Sequence, residues 1–422
     1  MKKYYLIPTL LLVICSQSFA QRTDARIEDP DLFSVQMYLS GAPLTLPILE
    51  LNTGANSLIL EFDHYGTDIK DYIYTIQHCD SDWNPSDLSD QEYIDGFTED
   101  RIINYTNSFN TLVDYTHYKV GLPNRNMRWT KSGNYLLKVF DDDNNKKLVL
   151  VRRFMVVEPL WFVDAQFVKT ADASKYNTHH ELDFTLRTNK TNVQRPMQDV
   201  KAFVLQNGRW DNFVGPLVPK FIRANELVYD YQDEIVFPAG KEWRFFDMRS
   251  MDYRGDNVAR IEELTDFYDV TIRTDETRAN RPYLYRADLN GRFSIDNTNF
   301  NQTLDQCDYA RVLFTLLDKH PEDGKDVYVF GELSDWKLLP EFQMQYNEEA
   351  KMYYCEPFLK QGYYNYMYVV VDNVTGKVDL EGYEGNWYET DNQYTILVYY
   401  KPFGQRYERL VCAASLNSGA RN

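Results

Sequence analysis

Several groups of side chains in this sequence have types and spacing that could do chemistry. His179 and His180 stand beside Glu181, with Asp172 and Asp183 close by, as a set of metal ligands would. On a strand, however, neighbouring side chains point to opposite faces, so the two imidazoles cannot share one ion without a bulge, and both read as ordinary strand histidines. The same alternation separates His78 from Cys79, which side by side would make an imidazole and thiolate pair. Asp141-Asp142-Asp143-Asn144-Asn145 has the acidity of a calcium loop. It lacks the sixth-position glycine and the distal glutamate, and Lys146 and Lys147 follow where more oxygen ligands are needed, so it reads as a solvated hairpin tip. Asp379, Glu381 and Glu384 supply paired carboxylates, but a glycosidase holds two at a set separation beside a sugar groove, and carboxylates are plentiful among 63 Asp and Glu. Gly-rich phosphate loops, GxSxG, HExxH and SxxK patterns find no match in a suitable context. No catalytic residue, cofactor site or metal site is expected.

The elements that carry these residues read as strands. In DYIYTIQHCDSDWNPS, from Asp71, the residues Tyr72, Tyr74 and Ile76 share one face, and the run enters a polar turn anchored by Trp83 and Pro85. Gly133-Asn134-Tyr135 opens a second alternating run to Phe140, and a returning strand is expected over 148–158 after the acidic turn. Such a close is similar to fibronectin-type and immunoglobulin-type sandwiches. The expected class is all-β, three consecutive β-sandwich domains with little helix, at most a turn over 96–103.

Composition bounds the partners. Residues 1–20 carry Lys2 and Lys3, an apolar stretch, and Ser18-Phe19-Ala20 before Gln21, the layout of a cleaved secretory signal; loss of the two lysines takes the formal charge from −18 to −20. So acidic a body gains nothing from phosphate neutralisation, which makes nucleic acid and bare membrane poor partners. No later apolar run has the length of a membrane helix. The 33 tyrosines and 24 phenylalanines suit sheets and interfaces.

Four cysteines remain after the leader, Cys79, Cys307, Cys355 and Cys412, and both one bridge and four buried thiols fit an oxidising compartment. The expected organisation is a signal at 1–20, an N-terminal arm at 21–32, sandwiches at 33–159, 160–303 and 304–412, and a tail at 413–422. Asn207-Gly208 and Asn290-Gly291 are strong hairpin signals within the second sandwich. The third, with Gly331 and Trp336 in a GxFxxW-like turn, resembles early-set sandwiches, among them starch- and glycogen-binding modules. That likeness implies sugar stacking for Trp336 and Trp387 as the alternative function.

The blocks HCDSDWNPSDL from His78, EYIDGF from Glu92, SFNTLVDYTHYKVGLPN from Ser108, SGNYLLKVF and RRFMVVEP resemble one family, the plug-domain proteins of the type IX secretion system. VLQNGRWDN from Val204, FPAGKEWRFFDMRS from Phe237, VYVFGELSDW from Val327 and DNQYTILVYYKPFGQRYERL from Asp391 follow in order. The family-motif residues are Cys79, Asp82, Trp83, Pro85, Gly133, Tyr135, Gly208, Trp210, Gly331 and Trp336, with structural roles expected. The resemblance implies a periplasmic, non-enzymatic subunit that binds the periplasmic end of the giant outer-membrane translocon barrel and seals it when no cargo is present, without inserting into the membrane.

Overall fold

A computed structural model describes residues 24–54, 57–189, 191–298 and 303–419; the expected signal at 1–20 lies outside the described residues. The first sandwich pairs Arg26–Ile27, Lys147–Val157, Gly133–Asp141, Tyr72–Cys79 and Asp100–Arg101 in that order in one sheet, with Ile48–Glu50 added parallel to Lys147–Val157. Its other sheet runs Leu32–Leu39, Leu58–Tyr65, Tyr115–Leu122, Asn104–Asn107. Leu60, Phe62, Tyr72, Tyr74, Tyr118 and Phe154 fill the space between them. Alternation places each of these inside, and their neighbours on the strands face the other side of the sheet. The arm expected at 21–32 is partly strand, because Arg26 and Ile27 pair with Val151 and Leu150.

The second sandwich corrects the expected domain boundaries. One of its sheets, Phe162–Val168, His179–Arg187, Glu226–Tyr229 and Phe221–Arg223, comes from the expected segment. The other is Val214–Leu217, Val200–Gln206, Gln393–Tyr400 and Arg409–Asn417, so Val200 lies opposite Tyr400 across the expected boundary at 303/304. The expected tail is likewise the end of the strand Arg409–Asn417. Trp161, Phe184, Tyr229, Tyr394 and Ile396 form this core from both ends of the segment. A strand's apolar pattern specifies its faces and not its mate, which is why local reading cannot see this closure.

The third sandwich is therefore an insert between Val236–Pro238 and Gln393–Tyr400. The strand Gly362–Asp372 is its spine, paired with Arg244–Asp247, Phe293–Ile295 and Lys325–Phe330. The facing sheet centres on Tyr309–Leu317, with Tyr268–Ile272 and Met352–Cys355 beside it. Phe246, Phe314, Tyr364, Tyr366 and Tyr368 pack between the layers. Asn290-Gly291 turns into Phe293–Ile295 without a paired strand before it, so it closes no hairpin. Helix is confined to short pieces such as Asp90–Tyr93 and Pro196–Asp199. The first falls earlier than the turn expected at 96–103, because Ser89 and Glu92 form a capping box there and Ile94–Gly96 is already strand.

Two seams weld the sandwiches. Leu136, Val151, Met155 and Val157 of the first meet Phe203, Leu205, Leu397 and Tyr399 of the second. Strands at this seam are apolar on both faces, and so Gly133–Asp141 is almost continuously buried. Between the first and third sandwiches, Val113 and Tyr115 pack on Tyr309, with Phe33 and Phe358 beside them.

Candidate functional site

Each sandwich has a strand that ends in a turn carrying a tryptophan. Trp83 follows Tyr72–Cys79, Trp210 follows Val200–Gln206, and Trp336 follows Lys325–Phe330. Trp83 and Trp336 sit at φ of 66° and 56°, a conformation rare for bulky residues, which needs a surrounding structure to hold it. That structure is the other turns. Trp83 and Trp210 meet edge to face with centroids 5.1 Å apart, and the Arg153 guanidinium lies 4.4 Å and 5.7 Å from their centres. Arg209, next to Trp210, lies 5.4 Å from the ring centre of Trp336 and 5.0 Å from that of Phe330, and pairs with Asp211. The three turns thus converge at the junction of the three sandwiches. The second and third of these turns border a cleft of about 940 Å³, lined also by Arg152, Arg292, Glu332 and the arm from Asp24.

The remaining motif residues build these turns. Asp82 accepts hydrogen bonds from the backbone N–H (3.0 Å) and side-chain amide (2.8 Å) of Asn84, and Pro85 bridges back to Cys79. Gly133 has a φ of +141°, and a Cβ there would fall 2.5 Å from Nε2 of His78. Gly208 lets Leu46 and Arg292 approach the second turn, since its Cβ would come within 2.4 Å of Leu46. Gly331 opens the third turn by accepting the N–H of Trp336 at 3.0 Å. Tyr135 donates to the carbonyl of Lys131 at 2.8 Å, four residues back, the corner bond of immunoglobulin-like sandwiches. Tyr364 makes the same bond to Lys360 in the third sandwich. Two Gly-x-Tyr corners thus mark equivalent strands, Gly133–Asp141 and Gly362–Asp372, a likeness visible in the sequence once the spacing is compared.

The cysteines, His78, His179, His180 and Glu384 are each closed off by burial or by bonded partners, while burial raises the Asp183 carboxyl to about 6. Burial pushes the Cys79 thiol up to about 12, and all four cysteines are free and buried, so the bridge left open by the sequence is not formed. His78 is neutral, held down to about 4 by burial; Nε2 donates to the Ser132 carbonyl at 3.0 Å and Nδ1 accepts from the Ser86 hydroxyl at 2.8 Å. His180, also lowered to about 4 by burial, bonds Tyr388 and Tyr394, while His179 bonds Thr178. Glu384 is fully buried; burial alone would raise its carboxyl, but Arg244 and Arg278 hold it down to about 2. Such a group neither donates nor accepts a proton near neutrality. The half-buried Trp336 ring meets Trp243 and Phe330 edge to face, with the Arg209 guanidinium 5.4 Å from its centre. Among the described residues no group of three or more His, Cys, Asp or Glu is placed to hold a metal ion.

The sequence reading missed a buried polar cluster at the seam of sandwiches one and three. Asp63 meets Nζ of Lys360 at 2.5 Å, accepts from the Tyr309 hydroxyl at 2.7 Å, and bonds Nδ1 of His117 at 2.7 Å. Asp308 reinforces it, accepting the backbone N–H groups of Leu112 (2.7 Å) and Val113 (3.2 Å). Asp63, placed with Glu61 in the largely apolar strand LILEFDHY, was the available signal.

The similarity to known proteins agrees with this architecture. Residues 32–158 match the family described as type 9 secretion system plug protein, 1st domain. The crystal structure of a hypothetical protein from Parabacteroides merdae ATCC 43184 superposes with a TM-score of 0.88 at 33% sequence identity, over 93% of this chain and 98% of that one. No curated protein matches the chain. Among the described residues no helix is long and apolar enough to cross a membrane. Over residues 32–158, the first sandwich apart from its short strand Arg26–Ile27, the chain belongs to the type 9 secretion system plug protein family.

Proposed function

We propose that this chain is a non-enzymatic periplasmic subunit that binds the periplasmic end of the type 9 secretion translocon barrel and seals its pore when no cargo is present. The observation that carries the reading is the pair of buried seams, one apolar and one closed by Asp63 and Lys360, which join three sandwiches into a stiff body. A stopper works by shape. It needs rigidity over a width comparable to the pore, and sheets fastened face to face supply that without any reactive centre. A compact chain of this length has a radius of gyration of roughly 21 Å, and three sandwiches side by side are wider. The closed-off histidines, thiols and carboxylates suit a protein with no chemical step.

Pull-down of the tagged chain from detergent-solubilised outer membranes tests this directly. Co-purification of a very large barrel is the expected result. Retention on polysaccharide without the barrel would overturn the reading in favour of a glycan-binding module.

A further inference from the structure

Of the sheet edges in this molecule, one combines free backbone, bare apolar side chains and a strong local field. Asn104–Asn107 is the last strand of its sheet, paired on one side to Tyr115–Leu122, with no strand on its other side among the described residues. All four of its residues are exposed. The Ser108 N–H donates to the Tyr115 carbonyl at 2.7 Å, which sets the ladder: Asn104 and Thr106 bond inward, and the amide groups of Tyr105 and Asn107 face out. Two other edges are blunted, and Phe221–Arg223 is a shorter edge of three residues. Arg254 caps the carbonyl of Ala259 on the edge strand Val258–Glu263, and Leu160 and Trp161 donate to the carbonyl of Val411 on Arg409–Asn417.

Around this edge the surface is apolar where water would be expected. Ile103 is 84% and Phe109 68% exposed, and Tyr105 and Ile69 are exposed beside them. Tyr105 lies on the ring of Tyr118, whose hydroxyl is bonded to the backbone of Lys70, so the edge strand and the turn bearing Ile69 form one patch. Lys119, opposite Asn104, is paired with Glu61, and the charge of the surrounding segment is mostly acidic. Residues 63–114 hold twelve Asp and Glu against Lys70 and Arg101, a net −10 within a chain of −18, and Asp68, Asp71 and Asp114 are exposed at the patch.

We infer that this edge of the first sandwich is the docking strand for the translocon barrel, taking an extended barrel segment with apolar residues alternating with Lys or Arg as an added strand. The inference rests on the plug reading above and names the surface that reading leaves open. Backbone pairing supplies adhesion, Ile103 and Tyr105 supply the apolar contact, and the acidic field selects a basic partner and draws it in.

The test is site-specific photocrosslinking in secreting cells, with p-benzoylphenylalanine replacing Tyr105 or, on the second sandwich's short edge, Phe221. A barrel adduct from position 105 and not from 221 is expected. Asn107→Pro removes one outward N–H and no ladder bond, together with the side-chain oxygen that accepts from the Thr116 hydroxyl, and is expected to lower barrel recovery about tenfold, whereas Asn107→Ala, which loses the same acceptor but keeps the N–H, should recover as much barrel as the parent. Raising salt is expected to weaken the wild-type contact. If the barrel co-purifies but its adduct comes only from position 221, or Asn107→Pro recovers as much barrel as the parent, the docking strand is overturned and the plug reading stands. If neither position yields a barrel adduct and no barrel co-purifies, both fall.

Discussion

Asp63 of the first sandwich and Lys360 of the third face each other at 2.5 Å with side chains 1% and 2% exposed. Burial alone would raise the Asp63 carboxyl, but the Lys360 cation and the His117 bond hold it below its ordinary range, so the carboxylate stays ionised. Removing one partner strands a charge away from water. Lys360→Met is expected to cost about 3–5 kcal/mol in urea unfolding, whereas Asp63→Asn with Lys360→Met together should recover most of that loss. Equal destabilisation by the single and double variants would show that the seam does not depend on charge pairing.

The contribution of two buried histidines to stability should be lost on acidification well before Asp63 is protonated. His78 and His180 have folded values near 4, set by burial, against about 6.5 in the unfolded chain. Between these values the unfolded state binds more protons, so stability is complete above about pH 6.5 and drains by about 1.4 kcal/mol per unit per histidine as pH falls towards 4. Asp183 and Asp288, whose carboxyls burial raises to about 6, pull the other way over the same range, so the histidine share is read as a difference between parent and variant. From pH 7.5 to 4.5 the double variant His78→Gln, His180→Gln should lose less urea midpoint, or gain more, than the parent, and identical pH profiles would assign the effect elsewhere. Asp63 contributes only lower, below about pH 3.9.

The extent to which the sequence reveals this molecule follows from where each strand is buried. Tyr72–Cys79 reads plainly because Tyr72, Tyr74 and Ile76 share the inner face. Gln393–Tyr400 is buried on both faces, one towards its own core and one towards the first sandwich, so the period-two signal that would show its role is lost. Its mate Val200–Gln206 is beyond the reach of local pattern, and the insertion of the third sandwich went unseen for that reason. Trp83, Trp210 and Trp336 were legible as turn residues. Their convergence was not, because each turn contains its tryptophan and nothing that names the next.

The corner bonds give a test of equivalence between sandwiches one and three. Tyr135→Phe removes the bond to the Lys131 carbonyl and Tyr364→Phe the bond to the Lys360 carbonyl, each a buried ring with its hydroxyl on backbone. Each is expected to cost about 1–2 kcal/mol, since a carbonyl loses its partner while the ring packing stays. Far-UV circular dichroism should be unchanged. A loss below about 0.3 kcal/mol at either site would mean that its corner is ornament and that the shared Gly-x-Tyr spacing does not mark a shared device.

The contact of Trp83 with Trp210 decides whether the first two sandwiches unfold as one. Arg153 lies over both rings, so the three side chains form a single unit across the seam. Trp83→Ala is expected to cost about 3–5 kcal/mol, and the cycle with Trp210→Ala should show a coupling of about 0.5–1.5 kcal/mol beyond additivity. Repeating the cycle with Arg153→Met should shrink that coupling, because the cation is the element both rings share. Additive losses would mean that the rings stabilise their own turns only. Unfolding of the double variant should then stay cooperative, whereas a seam that depends on the cluster should let the first sandwich melt separately, giving two transitions where the parent gives one.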